Sequence, residues 1–242
     1  MKWRVKIIGD DFDLEQLAKS FSNSNDFLIT KESDGFYLHS SQFETCMSGE
    51  EVKNRAKDIL SVLNGAKTLA LGGNTQVEIG HVELRKPNGK RQIFVKLTGE
   101  ISFRGGLTTA IKNNKGNIIK ESCPADKVPE WLGLGLSDEN VKKALRIYGV
   151  ERHSWAGLYK VYEIIENDVG GIEVIADNGW ATKSTISRFK HTANSPSAIG
   201  DQARHGKEST KPPKKPMRLS EARLLIETLL MEWLRYKSNK IS

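Results

Sequence analysis

Hydrophobic positions at the start of the chain recur with a period of two. Trp3, Val5 and Ile7 alternate with Arg4 and Lys6, which predicts a strand closed by Gly9. The period then lengthens, because Leu14, Leu17 and Phe21 have helical spacing. Residues 26–32 and 35–41 predict two short strands joined at Asp34-Gly35, a common turn pair. Residues 48–65 predict a helix. Ser48 is placed to cap it, Glu50 and Glu51 suit its positive start, and Val52, Ala56, Ile59, Leu60 and Leu63 form one stripe. Gly65 is the expected stop. Residues 68–73, 75–86 and 91–103 read as strands, with a hairpin turn at Pro87-Asn88-Gly89 between the last two.

A glycine-rich stretch follows at Gly105-Gly106, and residues 123–140 hold two prolines and read as irregular. From Ser137 the period is helical. Residues 137–149 form one predicted helix, with Ser137 as its cap. Residues 154–171 form a second, with Trp155, Leu158, Val161, Tyr162 and Ile165 on one face and Gly170-Gly171 at its end. Residues 178–194 form a third, with Trp180, Ile186 and Phe189 inward. A short fourth runs from Pro196 to about His205. The last spans residues 220–237, where Ala222, Leu225, Ile226, Leu229, Leu230 and Trp233 make a stripe wide enough to need neighbours on more than one side. The expected fold class is α+β. An N-terminal α/β domain with an antiparallel sheet (residues 1–104) is followed by an irregular linker (105–136) and an all-α bundle with a basic C-terminal region (137–242).

Charge refines this picture by its position. The chain of 242 residues carries +7 formally. Residues 183–242 hold 13 Lys or Arg against 5 Asp or Glu, a balance of +8, so the other 182 residues carry −1 together. A localised basic surface attracts polyanions such as RNA or DNA, although a solvated basic tail has the same composition. Cys46 and Cys123 are far apart and the five histidines are scattered, so neither a metal site nor a disulfide framework is expected, and no cofactor. The first residues, with a short apolar run and early acidic side chains, differ from a signal peptide, and no run reaches about 20 apolar residues. A cytoplasmic protein that does not enter a membrane is expected.

The candidate chemistry lies between Ser195 and Lys215. Ser195 and Pro196 suit a helix start and Gly206 suits its C′ position, which places Arg204 and His205 in the last turn. Cations are favoured there by the helix dipole, so both residues have a purely structural reading. They also have a chemical one. A histidine held beside an arginine suits general acid–base work on a phosphodiester, and Arg188 and His191 share a helix face at i and i+3. Lys190, Lys207, Lys211, Lys214 and Lys215 are the candidate nucleic-acid contacts. Glu163, Glu166 and Asp168, at the unfavourable end of their helix, are expected to meet basic partners nearby.

The segment from Val141 to Lys237 resembles the HEPN superfamily of helical bundles. The resemblance rests on the Ala203-Arg204-His205-Gly206 segment, the proline-containing polar loop after it and the Leu-rich last helix. It implies either a metal-independent endoribonuclease of a bacterial toxin or antiphage (antiviral) defence system, or a non-catalytic module for binding and assembly. It also implies a homodimer through the bundle, with the N-terminal domain free to meet a partner protein. The motif's histidine falls on His205. The positions of its spaced arginine hold Gly200, Ile199 and Ala198, so Arg204 or Arg188 would have to substitute, with His191 assisting.

Overall fold

The computed structural model describes residues 2–22, 24, 26–85, 91–95, 110–112, 118–121, 124–207, 211 and 213–241. The chain is mixed α+β. An N-terminal unit built on an antiparallel sheet (Met1–Gly133) is followed by an all-helical unit (Leu134–Ser242), and the division falls inside a helix.

The first unit runs β1 (Lys2–Ile8), α1 (Asp11–Ser20), β2 (Phe27–Glu32), β3 (Gly35–Ser40), α2 (Gly49–Leu71), β4 (Glu78–Arg85) and β5 (Arg91–Val95). The sheet order is β2-β3-β1-β4-β5, antiparallel throughout. Its first four strands and two helices follow the split β-α-β pattern. Register pairs Val5 with Leu38 and with Val82, and Ile7 with Phe36, so these residues share one buried face. Leu14 and Leu17 of α1 and Val52, Ala56, Ile59 and Leu63 of α2 complete that core. The opposite face carries charge. Arg4 lies across from Glu83 and binds it at 2.8 Å, pairs also with Glu32, and stacks 3.6 Å from the Tyr37 ring centre. Burial, then the hydrogen bond to Asp34, pushes the Tyr37 phenol up to about 12.

Two expectations in this unit need correction. Residues 68–71, expected as a strand, are the last turn of α2, which passes through Gly65 and stops at Gly72 (φ +74°). A mid-helix glycine costs about 1 kcal/mol relative to alanine. The burial of Val62, Leu63, Ala66 and Lys67 around it outweighs that cost. The expected irregular linker is in part regular. Ala110–Lys112 (β6) pairs with Ile118–Glu121 (β7), and α3 spans Val128–Ser137, burying Val128, Trp131, Leu132 and Leu134. Pro129 misleads because it sits in the first turn of α3, where a missing N–H breaks no bond. The Pro87-Asn88-Gly89 turn, the strand expected beyond Val95 and the Gly105-Gly106 patch lie outside the described residues.

The helical unit continues with α4 (Glu139–Glu151), α5 (Trp155–Val169), α6 (Ile172–Asp177), α7 (Lys183–Ala193), α8 (Pro196–Ile199) and α9 (Leu219–Ile241). The cap of α4 is Asp138, not Ser137: its carboxylate accepts from the N–H groups of Asn140 and Val141. Helix α7 starts three residues after Trp180, which packs edge-on to Tyr236, and α6 was not foreseen. Phe189 of α7 lies within 6.0 Å of the rings of Trp155, Tyr159 and Tyr162. Gly157 is set by close approach, since a Cβ there would lie 2.3 Å from Glu151 Cβ.

A polar hub ties the helices together. Lys237 bridges Asp138 at 2.7 Å and Asp168 at 2.8 Å, and Asp168 also accepts from Trp233 Nε1 and Asn140 Nδ2. Burial raises both carboxyls, but hydrogen bonds, first from Lys237, outweigh it and hold both below 3.8. Lowered folded values mean that this contribution is present above about pH 4 and is lost as pH falls through them. Lys237 shifts the other way. Burial lowers it, but its hydrogen bonds to the two aspartates raise it above 10.5, so its share is lost only as pH rises through that folded value. Urea unfolding followed by helical circular dichroism is expected to show a lower midpoint at pH 3 than at pH 7. The double variant Asp138→Asn/Asp168→Asn flattens that acid limb. An unchanged limb contradicts the assignment.

Candidate functional site

The basic residues gather around the C-terminal half of α7 and the chain that follows it. The helix expected to carry Arg204 and His205 is only one turn long. Gly200 (φ +62°, ψ −141°) ends α8, a short 3₁₀ turn spans Gly200–Gln202, and Ala203 is extended. The reason is local. Nucleating a helix is costly, the Ser195 side chain makes no capping hydrogen bond to it, and Gly200 takes a conformation closed to other residues before a second turn can form. Gly206 is not among the glycines with positive φ. Arg204 and His205 therefore sit outside any helix, in a bend of the chain. The dipole argument for them fails.

Arg204 is nonetheless fixed. Its backbone N–H donates to Ala193 O at 2.9 Å, at the end of α7. Its guanidinium binds Glu163 at 2.9 Å and lies 4.6 Å from the Tyr159 ring centre. Lys190 reaches Glu166 at 3.4 Å and lies 5.3 Å from the ring centre of Tyr162. With Lys237 on Asp168, each acid of the α5 cluster meets a cation, as its place at the helix end requires.

Arg188 and His191 face the loop that precedes α9. Arg188 donates from Nε to Lys215 O at 2.9 Å and from Nη2 to Pro216 O at 3.0 Å, and Nη2 also meets Glu221 at 3.1 Å. His191 Nε2 lies 2.7 Å from Lys211 O, so this nitrogen carries the proton. Thr192, which the sequence did not single out, accepts from the N–H of the buried Met217 at 3.0 Å. Its only sequence signal is position, four residues past Arg188 on the same helix face. His205, Lys207, Lys211, Lys214 and Lys215 are exposed.

The four residues assigned to catalysis are thus distributed over separate tasks. Two hold a loop, one pairs with α5, and His205 alone is exposed without a described partner. Among the described residues no group of His, Cys, Asp or Glu is arranged to hold a metal ion, and no helix is long and apolar enough to cross a membrane. Asp10, which follows Gly9, caps α1 with its carboxylate. Searches against protein-family models, curated proteins and solved structures find no match for the chain.

Proposed function

We propose that the helical unit is an HEPN-like binding module that takes RNA by its sugar-phosphate backbone, without cleaving it. The observation that carries this reading is the division of labour among the basic residues. Arg188, His191 and Arg204 are committed to contacts within the unit, whereas Lys207, Lys211, Lys214 and Lys215 stand exposed, with no ion pair to another of the described residues. General acid–base cleavage needs a proton carrier and a charge stabiliser aimed at one phosphate. Here the guanidiniums point to carbonyls and carboxylates.

A second reading, metal-independent cleavage, draws on His205, which is exposed between Arg204 and Lys207. One experiment separates the two. Single-stranded RNA incubated with the purified chain in EDTA is expected to be retarded on a native gel and intact on a denaturing one, with His205→Ala behaving alike. Fragments that disappear in His205→Ala would establish the second reading in place of the first.

A further inference from the structure

We infer that Arg188 and His191 are positioning residues: they strap the lysine loop to α7 so that its lysines are presented to consecutive phosphates. The inference rests on the RNA-binding reading and adds how that surface is built.

Arg188, His191 and Thr192 stand at i, i+3 and i+4, one above another on α7. Together they engage the backbone of the segment before α9 at four points, namely Lys211 O, Lys215 O, Pro216 O and Met217 N. Backbone groups bound on the α7 side leave the side chains of Lys211, Lys214 and Lys215 in solvent, where all three are found. Pro213 and Pro216 stiffen the segment further by fixing φ and by lacking an N–H that would need a partner. Met217, buried at 4% exposure, anchors its end.

A free loop carrying three lysines would have to be ordered at the moment of binding, at a conformational cost for every residue fixed. The strap moves that cost to folding. Glu221, which receives Arg188 and caps the N–H of Arg218 at 2.7 Å, locks the same clamp to the start of α9. Arg188 meets the carbonyls of Lys215 and Pro216 from Nε and Nη2, a rigid planar fork that the compact ammonium of a lysine at position 188 does not reproduce.

The test uses the full chain and a fluorescent single-stranded RNA, with affinity measured across a salt series. A residue that touches phosphate changes the slope of log affinity against log salt, by about 0.7 per lost contact on single strands. A residue that only positions the loop shifts the line without tilting it. Arg188→Ala and Arg188→Lys are expected to lower affinity by about tenfold at every salt concentration, the cost of ordering about one further residue, with the slope unchanged. Lys214→Ala is expected to reduce the slope. Hydrogen exchange checks the folded state. The Met217 amide is expected to exchange faster in Arg188→Ala while the amides of α5 and α9 keep their protection.

A slope reduced in Arg188→Ala as in Lys214→Ala overturns the inference, because Arg188 would then be a direct phosphate ligand. Unaltered affinity with a faster Met217 amide overturns it as well, since a loosened loop would bind as tightly as a strapped one. An intact chain that binds no RNA at any salt concentration removes the RNA reading and this inference together, which distinguishes that failure from the other two.

Discussion

Asp13→Ala is expected to destabilise the N-terminal unit by about 3–5 kcal/mol, the range for breaking a buried ion pair from one side. Lys67 sits on α2 with its side chain wholly buried, and its ammonium lies 2.6 Å from Asp13 Oδ2 and 2.6 Å from Thr75 O. Asp13 Oδ2 also accepts from Thr75 Oγ1 at 3.2 Å, so one carboxylate ties α1, α2 and the chain entering β4. Removing it leaves a buried ammonium whose remaining described hydrogen bond is to Thr75 O. Lys67→Met added to Asp13→Ala takes away the stranded charge and is expected to recover more than half of the loss, because a flexible apolar side chain of similar length fills the same space. Urea unfolding of the three variants measures this. A loss below about 1 kcal/mol for Asp13→Ala would show that the pair adds little beyond an exposed one.

Trp233→Ala is expected to cost the helical unit about 3–5 kcal/mol through the cavity it opens. Trp233 is fully buried on α9, the largest such side chain, and its indole N–H donates to Asp168 Oδ2 at 2.9 Å. Two effects are mixed in that substitution, and Trp233→Phe separates them. Phenylalanine keeps most of the volume and loses the hydrogen bond to a charged acceptor, worth about 1.5–3 kcal/mol. The expected order of stability is wild type, then Trp233→Phe, then Trp233→Ala. Equal stability of the two variants would mean that packing contributes nothing beyond the hydrogen bond, contrary to the full burial of this side chain.

Local rules made much of the fold legible. The strands at Trp3–Ile8 and on either side of Asp34-Gly35, the cap at Ser48, and the helix opened by Ser154 and closed by Gly170 all follow from neighbours in sequence. Elements decided by distant partners were not legible. The extension of α2 past Gly65 depends on Lys67 meeting Asp13, a residue far away in sequence on α1. Helix α3 depends on burial of Trp131 and Leu132, which no local pattern reveals among two prolines and two glycines.

The candidate site divides in the same way. That positive charge concentrates after Lys183 is a matter of counting, and that the acids of α5 need cations follows from the helix dipole. Which cation does what is set by contacts across long sequence gaps: Arg188 to Lys215 and Pro216, His191 to Lys211, Arg204 to Glu163. A guanidinium that holds a backbone carbonyl and one that holds a phosphate have the same sequence. The single-turn α8 is a further case, because Ser195, Pro196 and Gly206 suit a longer helix, while the missing side-chain cap and the conformation of Gly200 end it after one turn.

Under the proposed RNA-binding reading, the exposed lysines of the strapped loop, and not the arginine–histidine pairs, carry the contact with phosphate. The most direct measurement is the salt dependence of RNA affinity for the wild type and for the triple variant Lys211→Ala/Lys214→Ala/Lys215→Ala. A slope smaller by roughly 2 in the triple variant is expected, about 0.7 for each lysine removed. Equal slopes for the two proteins would place the phosphates elsewhere and contradict the account.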